Sequence, residues 1–354
     1  MTIRDGAADG KAAGAAATFT LAGARLEELA AWAAAAGAPP YAGKQLCDWV
    51  YRRVATDWAA MTNLARPVRA ALSRGAHVGW QPPRERRESA DGTVKYLFPA
   101  GAGQSVETAF IPEEDYATLC VSTQIGCRRA CAFCLTGRQR FQGNLTAAEI
   151  LNQYAQLPER TRVRNIVFMG MGEPLDNPEG VFRALEVLTA PWGFALSPTR
   201  LTVSTVGILP ALDELLRRFR CHIALSAHSP FPDERARLAP AEKKYPLRDV
   251  LARLRRHYLA PQQRLTIEYV LLGGVNDHDR HARALGDLLR GMNCRINLLR
   301  FNATPGLPFL PSPETAVRAF QDRLKKAGFI TTIRTSRGGD IGAACGQLST
   351  AARA

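Results

Sequence analysis

The segment Gly126-Cys127-Arg128-Arg129-Ala130-Cys131-Ala132-Phe133-Cys134 places three cysteines in the spacing C-x3-C-x2-C. No fourth cysteine or histidine stands close enough in sequence to complete a closed metal site. Thiolates are the usual ligands of iron–sulfur clusters, and a four-iron cluster held by three of them keeps one iron open to another ligand. The spacing therefore predicts a catalytic cluster held by Cys127, Cys131 and Cys134.

A structural zinc site is the alternative to a cluster. Structural zinc uses four ligands, which usually come as two pairs. The remaining cysteines are all single in the sequence: Cys47, Cys120, Cys221, Cys294 and Cys345. Their isolation favours the cluster, and Cys47, Cys221 and Cys294 are predicted to pack as small buried apolar side chains.

The cysteine spacing, with the aromatic Phe133 directly before the last cysteine, resembles the signature of the radical S-adenosylmethionine (radical SAM) superfamily. The resemblance implies one four-iron, four-sulfur cluster whose open iron chelates the amino-acid end of S-adenosylmethionine. It also implies a partial barrel of six strand–helix units that is open on one side.

Apolar strand-like runs alternate with amphipathic helices from about residue 93 onward. The predicted strands are 94–98, 106–111, 118–123, 165–168, 200–204, 222–226, 265–271, 295–300 and 330–334. The predicted helices lie near 146–157, 179–189, 209–219, 247–259, 279–291 and 313–327. Six consecutive strand-then-helix units argue for a parallel sheet with right-handed crossovers. With the resemblance, the predicted fold class is α/β, a partial (β/α)6 radical SAM barrel with a small N-terminal helical domain.

Three regions are predicted along the chain. Residues 1–17, rich in Ala and Gly, form a flexible tail, residues 18–92 form a helical accessory domain, and residues 93–354 form the barrel and a C-terminal loop. The stretch 84–87, with three arginines, is interpreted as the linker. The helical domain is either a cap with solvated charges or a face that binds RNA, because runs of charge are often only exposed surface.

Composition indicates an enzyme of a reducing compartment that contacts nucleic acid. The 354 residues, 46% of them hydrophobic, suffice for one barrel and a small second domain. Eight cysteines without a signal peptide or a membrane-spanning apolar run predict reduced thiols, a cytoplasmic location and no membrane association. The net charge of +14 predicts attraction to a polyanion such as a phosphate backbone, although excess charge can also serve solubility.

Polar groups follow several of the predicted barrel strands. In a barrel of this kind, function collects in the loops at the C-terminal ends of the strands. The predicted cofactor-binding residues at these ends are Gly172, Glu173, Ser204, Ser226, Ala227, His228 and Asn302. A glycine such as Gly172 lets the backbone approach a ligand, and Glu173 is suited to the ammonium group of the cofactor. Each polar residue alone is typical of a turn or cap, but together they predict a site.

Five further stretches narrow the resemblance. They are Tyr41-Ala42-Gly43-Lys44-Gln45, Met61-Thr62-Asn63-Leu64, the run from Cys120 to Cys127, the run from Phe168 to Leu175, and the run from Arg337 to Leu348. In this order, over nearly all of residues 20 to 350, they resemble the RlmN-type family, the dual-specificity ribosomal and transfer RNA adenine carbon-2 methyltransferases. Ala227 is a departure, because the family usually has leucine between the serine and the histidine.

The family resemblance implies a role for two further cysteines. One S-adenosylmethionine methylates Cys345, and a second is split by one electron to a 5′-deoxyadenosyl radical that takes hydrogen from this methyl group. The methylene radical adds to the adenine, so that two cofactor molecules are used per turnover. Cys120 then releases the adduct by forming a disulfide with Cys345. Either Cys120 or Glu107 removes the proton from the adduct, and the sequence leaves both open.

The resemblance also implies partners. The substrates are 23S ribosomal RNA and transfer RNA, the electrons come from a low-potential donor such as flavodoxin, and the chain acts as a monomer. Three alternatives remain at this point. They are the sister family that methylates carbon 8 of adenine, a glycyl-radical activase, which needs neither Cys120 nor Cys345, and a zinc-stabilised RNA-binding protein without catalysis.

Overall fold

The computed structural model describes residues 19–101, 103–257 and 259–350, so the predicted tail at residues 1–17 lies outside the described residues. The N-terminal region is helical, as predicted. Its elements are β1 (Phe19–Thr20), α1 (Leu26–Ala35), α2 (Ala42–Cys47), a π-helical turn at Asp48–Arg52, α3 (Arg66–Ser73) and β2 (Ala76–His77). The two short strands pair in parallel.

The N-terminal helices pack directly against the larger part of the chain. Buried side chains of α1, such as Leu29, belong to the same continuous apolar core as the barrel. Arg25 forms an ion pair with Glu186 at 2.8 Å. Gly23 has φ +80°, and a Cβ there would meet the backbone nitrogen of Ala148 at 2.9 Å, so the two parts approach as closely as glycine permits.

A ten-stranded sheet forms the centre of the molecule. The remaining strands in chain order are β3 (Glu85–Glu88), β4 (Val94–Pro99), β5 (Ser105–Pro112), β6 (Ala117–Cys120), β7 (Gln124–Ile125), β8 (Gly143–Asn144), β9 (Val163–Phe168), β10 (Leu201–Thr205), β11 (His222–Ser226), β12 (Leu265–Leu271), β13 (Arg295–Arg300) and β14 (Ile330–Arg334). The order in the sheet is β14-β13-β12-β11-β10-β9-β6-β5-β4-β3, and β7 and β8 form a separate pair. From β6 to β14 the pairs are parallel, whereas β3 to β6 are antiparallel. Because β14 and β3 stand at opposite ends of this order, the sheet is open, and the predicted partial barrel is confirmed.

Helices connect the parallel strands. They are α4 (Leu135–Arg138), α5 (Ala147–Ala155), α6 (Pro178–Thr189), α7 (Leu209–Arg218), α8 (Pro232–Leu238), α9 (Leu247–Arg256), α10 (Asp279–Leu289) and α11 (Glu314–Lys326). Leu247, Val250, Leu251 and Leu254 of α9 are all buried, which is the spacing of one helix face. Among the described residues, no helix combines the length and the apolar composition needed to cross a membrane.

The segment interpreted as a linker is instead an edge strand. Glu85–Glu88 forms β3 and pairs with β4, although all four of its residues are exposed. The backbone of β4 holds this strand, so no alternation of apolar residues exists that sequence reasoning could detect. The strand lies in the predicted accessory region, and the division of the chain near residue 92 stays a prediction.

Candidate active site

Most of the predicted metal and cofactor residues line one cavity at the C-terminal ends of the parallel strands. These residues are Cys127, Cys131, Cys134, Gly172, Glu173, Ser204, Ser226 and His228. Alternation along the strands explains part of this grouping, because every second residue of a strand faces the same side. Ser204 on β10 and Ser226 on β11 both face the cavity, and Cys345 also reaches it.

The cysteine loop lies between β7 and α4 and is fixed by its backbone. The amide of Cys134 donates to the carbonyl of Cys131 at 3.2 Å, and the amide of Leu135 donates to the carbonyl of Gly346 at 2.8 Å. Burial raises the pKa of the Cys127 thiol to about 12 and also raises the pKa values of Cys131 and Cys134. Coordination to a metal deprotonates buried thiols of this kind, because the ion compensates the charge of the thiolate.

The three cysteines fit a four-iron cluster better than a single ion. Within the described parts of the chain, no group of three His, Cys, Asp or Glu side chains is placed to hold one metal ion. Ligands of zinc must converge on one point at about 2.0–2.3 Å. A four-iron cluster is instead held by separate thiolates, and these three thiols line one cavity. The donor set therefore fits the cluster that the sequence predicts.

Glu173 is a buried carboxylate held by the backbone. One of its oxygens accepts from the amide of Leu175 at 3.1 Å, and the other accepts from the amide of Val206 at 3.0 Å. Burial raises the pKa of Glu173 to about 7, although these hydrogen bonds oppose the shift. Each carboxylate oxygen has a further lone pair, so Glu173 can still accept from a cationic group in the cavity.

His228 is held as a neutral donor. Its backbone adopts the left-handed conformation, with φ +61°. Its Nδ1 lies 3.1 Å from the amide nitrogen of Val270, which must donate, so the ring proton is on Nε2. Burial lowers the pKa of His228 to about 3, with a contribution from Arg235. The imidazole ring packs edge-on against the ring of Phe133, with 4.7 Å between the ring centroids, so His228 contacts the cysteine loop.

Ala227 contributes to the floor beneath the cavity and does not line it. Its carbonyl accepts from Nε of Arg235 at 2.9 Å, and the same guanidinium donates to the carbonyls of Ser226 and Val206 at 3.0 and 2.9 Å. Arg235 is fully buried and forms an ion pair with Glu242. One buried arginine therefore ties together the ends of two strands that carry predicted cofactor residues.

A second, adjoining cavity brings together Cys120, Cys345 and Asn302. Cys134 lines it as well, so it borders the cysteine loop. Cys120 is buried at the end of β6, and burial raises the pKa of its thiol to about 12, with a contribution from Cys345. Nδ2 of Asn302 donates to the carbonyl of Cys345 at 3.3 Å. Asn302 thus supports the backbone of Cys345 and does not line the first cavity.

Arg334 is a site residue that the sequence reasoning did not include. It ends β14, lines both cavities, and donates to the sulfur of Met169 at 3.8 Å. The charge of Cys345 as a thiolate raises the pKa of Arg334, and Glu268 and Cys120 act in the same direction. The signal was available, because Arg334 stands at the C-terminal end of a predicted barrel strand.

Glu107 lies apart from both cavities that contain the isolated cysteines. Its carboxylate forms an ion pair with Lys95 at 2.8 Å and accepts from the amide of Ser349 at 2.8 Å. The two charged side chains line a separate cavity. Its role in removing a proton stays a prediction.

Comparison with known proteins agrees with this geometry. Residues 121–285 match the radical SAM superfamily, and residues 19–78 match the ribosomal RNA large subunit methyltransferase N-terminal domain. The chain is 49% identical over 331 residues to a probable dual-specificity RNA methyltransferase RlmN of Parabacteroides distasonis, covering 94% of this chain and 96% of that protein. It is 42% identical over 327 residues to the dual-specificity RNA methyltransferase RlmN of Syntrophobacter fumaroxidans, covering 91% and 96%.

A solved structure shows the same architecture. The crystal structure of a radical SAM methyltransferase from Sphaerobacter thermophilus has a TM-score of 0.88 and 40% identity, covering 93% of this chain and 98% of that one. The open barrel and its cysteine loop therefore belong to a radical SAM enzyme that methylates RNA. Within that class, the chain belongs to the RlmN family of dual-specificity RNA methyltransferases, which confirms the resemblance seen in its motifs.

Proposed function

We propose that this enzyme methylates carbon 2 of an adenine in 23S ribosomal RNA and in transfer RNA through a methylated cysteine. The observation that carries the proposal is the placement of Cys120 and Cys345 in one cavity that adjoins the three-cysteine site. An adenine C–H bond is too weakly acidic for methylation by simple displacement, so a radical route is required, and the proposed route also uses a thiol that carries the methyl group. Two separate thiols beside a cluster site meet that requirement.

When bound, the cluster and S-adenosylmethionine supply a one-electron cleavage that produces a carbon radical. The residues of the chain hold the cofactor for this step. Cys127, Cys131 and Cys134 would hold the cluster, and Glu173 would accept from the ammonium group of S-adenosylmethionine. Nε2 of His228 offers a neutral donor beside Phe133. Ser204 and Ser226 offer hydroxyl groups to the sugar or carboxylate of the cofactor.

Cys345 is proposed to carry the methyl group. It is exposed on the segment after β14, and it lines both the cofactor cavity and the cavity of Cys120. A methyl carrier must reach the cofactor first and the base later, and a side chain at the junction of both cavities can do this. The cationic side chain of Arg334 lines the same two cavities as Cys345.

Cys120 is proposed to release the product. Its thiol faces the cavity of Cys345 from the end of β6. Attack of the Cys120 sulfur on the Cys345 sulfur would form a disulfide and break the bond between that sulfur and the methylene carbon, which keeps the electron pair and takes a proton to become the methyl group of the released base. The raised pKa keeps Cys120 protonated near neutral pH, so it requires loss of a proton before it attacks. Cys120 and Glu107 remain the two candidates for removing the proton from the adduct.

The remaining parts of the proposal concern partners and location. The net charge of +14 supports binding to RNA, and the relatives are named RNA methyltransferases. We place the enzyme in the cytoplasm as a monomer that is reduced by a low-potential donor of the flavodoxin kind.

The test compares RNA from cells with and without the enzyme. Ribosomal and transfer RNA are digested to nucleosides, and methyladenosines are separated by mass spectrometry against standards of the 2-methyl and 8-methyl forms. 2-Methyladenosine should appear only with the active enzyme and should be absent with Cys345→Ala. 8-Methyladenosine in its place would assign the chain to the carbon-8 reaction, and the absence of any new methyladenosine would contradict both.

A further inference from the structure

The segment that carries Cys345, residues 335–350, is attached to the turn between β3 and β4. The carboxylate of Asp91 in this turn accepts from the amide of Gly338 at 2.8 Å. In return, Asp340 of the segment accepts from the hydroxyl of Ser89 at 2.6 Å and from the amide of Ala90 at 3.3 Å. These reciprocal bonds join parts of the chain that are far apart in sequence, and a carboxylate is the acceptor in each of them.

The same contact is sterically tight. Gly338 has φ +66°, and a Cβ there would lie 2.8 Å from both Thr93 and Ala343. The amide of Ala343 donates back to the carbonyl of Gly338 at 2.8 Å, which closes the segment into a compact turn before Cys345. Asp91 is also held from within its own turn, because the amide of Thr93 donates to it at 2.9 Å. Asp91 therefore links the segment to a turn that has its own internal hydrogen bond.

Two charged residues hold the segment on both sides of Cys345. Nζ of Lys95 lies 3.4 Å from the carbonyl of Gly342, before the cysteine, and Glu107 accepts from the amide of Ser349, after it. Lys95 and Glu107 pair with each other at 2.8 Å and are both buried. A buried ion pair that also bonds the backbone at two points restrains the segment more than either bond alone.

The restrained segment presents Cys345 to its neighbours. Ala343 packs against Cys120 and Ala109, so the turn before Cys345 rests directly on the second isolated cysteine. Reactions between groups held in register gain from prepaid orientation, and a misplacement of about 1 Å can cost about a hundredfold in rate. We infer that Asp91 and Asp340, with Lys95 and Glu107, are positioning residues that set the place of Cys345 relative to Cys120. The inference rests on the proposed function, because it assigns these residues to the methyl-carrying cysteine.

The experiment uses the double variant Asp91→Asn/Asp340→Asn in the whole chain. Asparagine keeps one oxygen for Thr93 or Ser89 but puts an NH2 group where the second backbone amide donates. The matched control is Asp287→Asn, an exposed aspartate on α10 that pairs only with Arg290 among the described residues. The first readout is hydrogen exchange of the amides of Gly338 and Ala343, which does not depend on the cofactor. The amide of Gly338 loses its carboxylate acceptor, and the turn that the amide of Ala343 closes loses its attachment. Each amide should therefore exchange about tenfold faster or more in the double variant, and neither should change in the control.

The second readout is RNA methylation under saturating conditions. kcat should fall by roughly 10- to 100-fold in the double variant, while KM for S-adenosylmethionine stays within about twofold, because neither aspartate lines the cofactor cavity. Faster exchange with unchanged kcat would make the contact merely structural and would overturn the inference. Unchanged exchange would overturn it as well. If the double variant does not fold, Ser89→Ala, which removes one of these bonds, should show both effects at smaller size, and normal kcat there counts against the inference.

Cys345→Ala separates this inference from the proposed function. Loss of methylation in Cys345→Ala with normal kcat in the double variant contradicts only the positioning role. Normal methylation in Cys345→Ala contradicts the proposed function itself, whatever the double variant does.

Discussion

Cys120 and Cys345 line one cavity but differ in exposure. Cys120 is buried at the end of β6, whereas Cys345 is exposed on the segment after β14. A buried thiol that shares a cavity with an exposed one suits the two proposed steps, in which Cys345 accepts the methyl group and Cys120 later releases the adduct. Exchanging the two roles would require the buried residue to reach the cofactor cavity, which it does not line.

The two cysteines should therefore fail at different stages. Cys345→Ala should place no methyl group on protein or RNA. Cys120→Ala should allow carbon–carbon bond formation and then accumulate a covalent protein–RNA species. Denaturing gel electrophoresis detects this species, nuclease should remove it, and reductant should not, because a thioether is not a disulfide. Normal turnover in Cys120→Ala, or the same crosslink in Cys345→Ala, would contradict the two-cysteine mechanism.

Each cluster cysteine should be indispensable. Cys127→Ala, Cys131→Ala and Cys134→Ala should each abolish reductive cleavage of S-adenosylmethionine, because two thiolates do not hold a four-iron cluster stably. Iron content and the visible absorption band after anaerobic purification measure the loss. Cys221→Ala is the control. Cys221 is buried directly before the first residue of β11, and it lines neither site cavity. Retention of cleavage in any of the three variants would remove that cysteine from the ligand set.

Glu173 should contribute to cofactor affinity. Its replacement by Ala should weaken binding of S-adenosylmethionine by about 1.5–3 kcal/mol, the usual contribution of a hydrogen bond to a charged group, with iron content unchanged. Equilibrium binding to the anaerobic protein measures the change. Unchanged affinity would mean that the Gly-Glu-Pro loop serves only as a turn.

Glu173 should also influence stability through pH. Its pKa in the folded chain is about 7, above the ordinary value of 4.5, so between these values the folded chain keeps a proton that the unfolded chain has released. The contribution of Glu173 to the free energy of unfolding should therefore decrease as pH rises from about 4.5 to about 7. Glu173→Gln should remove this pH-dependent contribution. Urea unfolding of both proteins without cofactor across this range measures the difference. A difference that does not vary with pH would contradict the raised pKa.

Arg235 should be essential to the floor of the cofactor cavity. Arg235→Met leaves Glu242 buried without its partner and frees three backbone carbonyls, so it should lower the free energy of unfolding by about 3–5 kcal/mol. Arg253→Met is the control, because its pair with Asp213 is exposed and such pairs contribute at most about 1 kcal/mol. Urea denaturation measures the free energy of unfolding of both variants. Equal losses in the two variants would contradict the structural role given to Arg235.

The barrel could be predicted from the sequence because the hydrophobic patterns of its strands and helices are local. The predicted helix near 247–259 and the observed Leu247–Arg256 share the same buried face, and the strand at 265–271 has the same bounds in both. β3 was not predicted because its four residues are all exposed and charged, and their pairing with β4 has no counterpart in an apolar sequence pattern. Edge strands of this composition leave no apolar pattern to read.

Site residues that directly follow a strand could be predicted from the sequence. Contacts between side chains from separate segments could not. Ser204, Ser226 and His228 share a cavity because parallel strands end at one edge. The edge contact between Phe133 and His228, and the pairing of Glu107 with Lys95, depend on how separate segments pack. The pairing was hidden because Lys95 and Glu107 lie on different strands, and no local pattern marks a buried cation as the partner of a given carboxylate.

The strands from β9 to β14 lie side by side in the order in which they occur along the chain. During synthesis on the ribosome, each new strand therefore finds its neighbour already made, and the sheet can extend by one strand at a time. The three cysteines proposed as cluster ligands are translated before β9, whereas Cys345 is translated only after β14. A nascent chain thus contains the three proposed cluster ligands before the thiol proposed to carry the methyl group, so under this proposal the reaction on RNA waits for the complete chain.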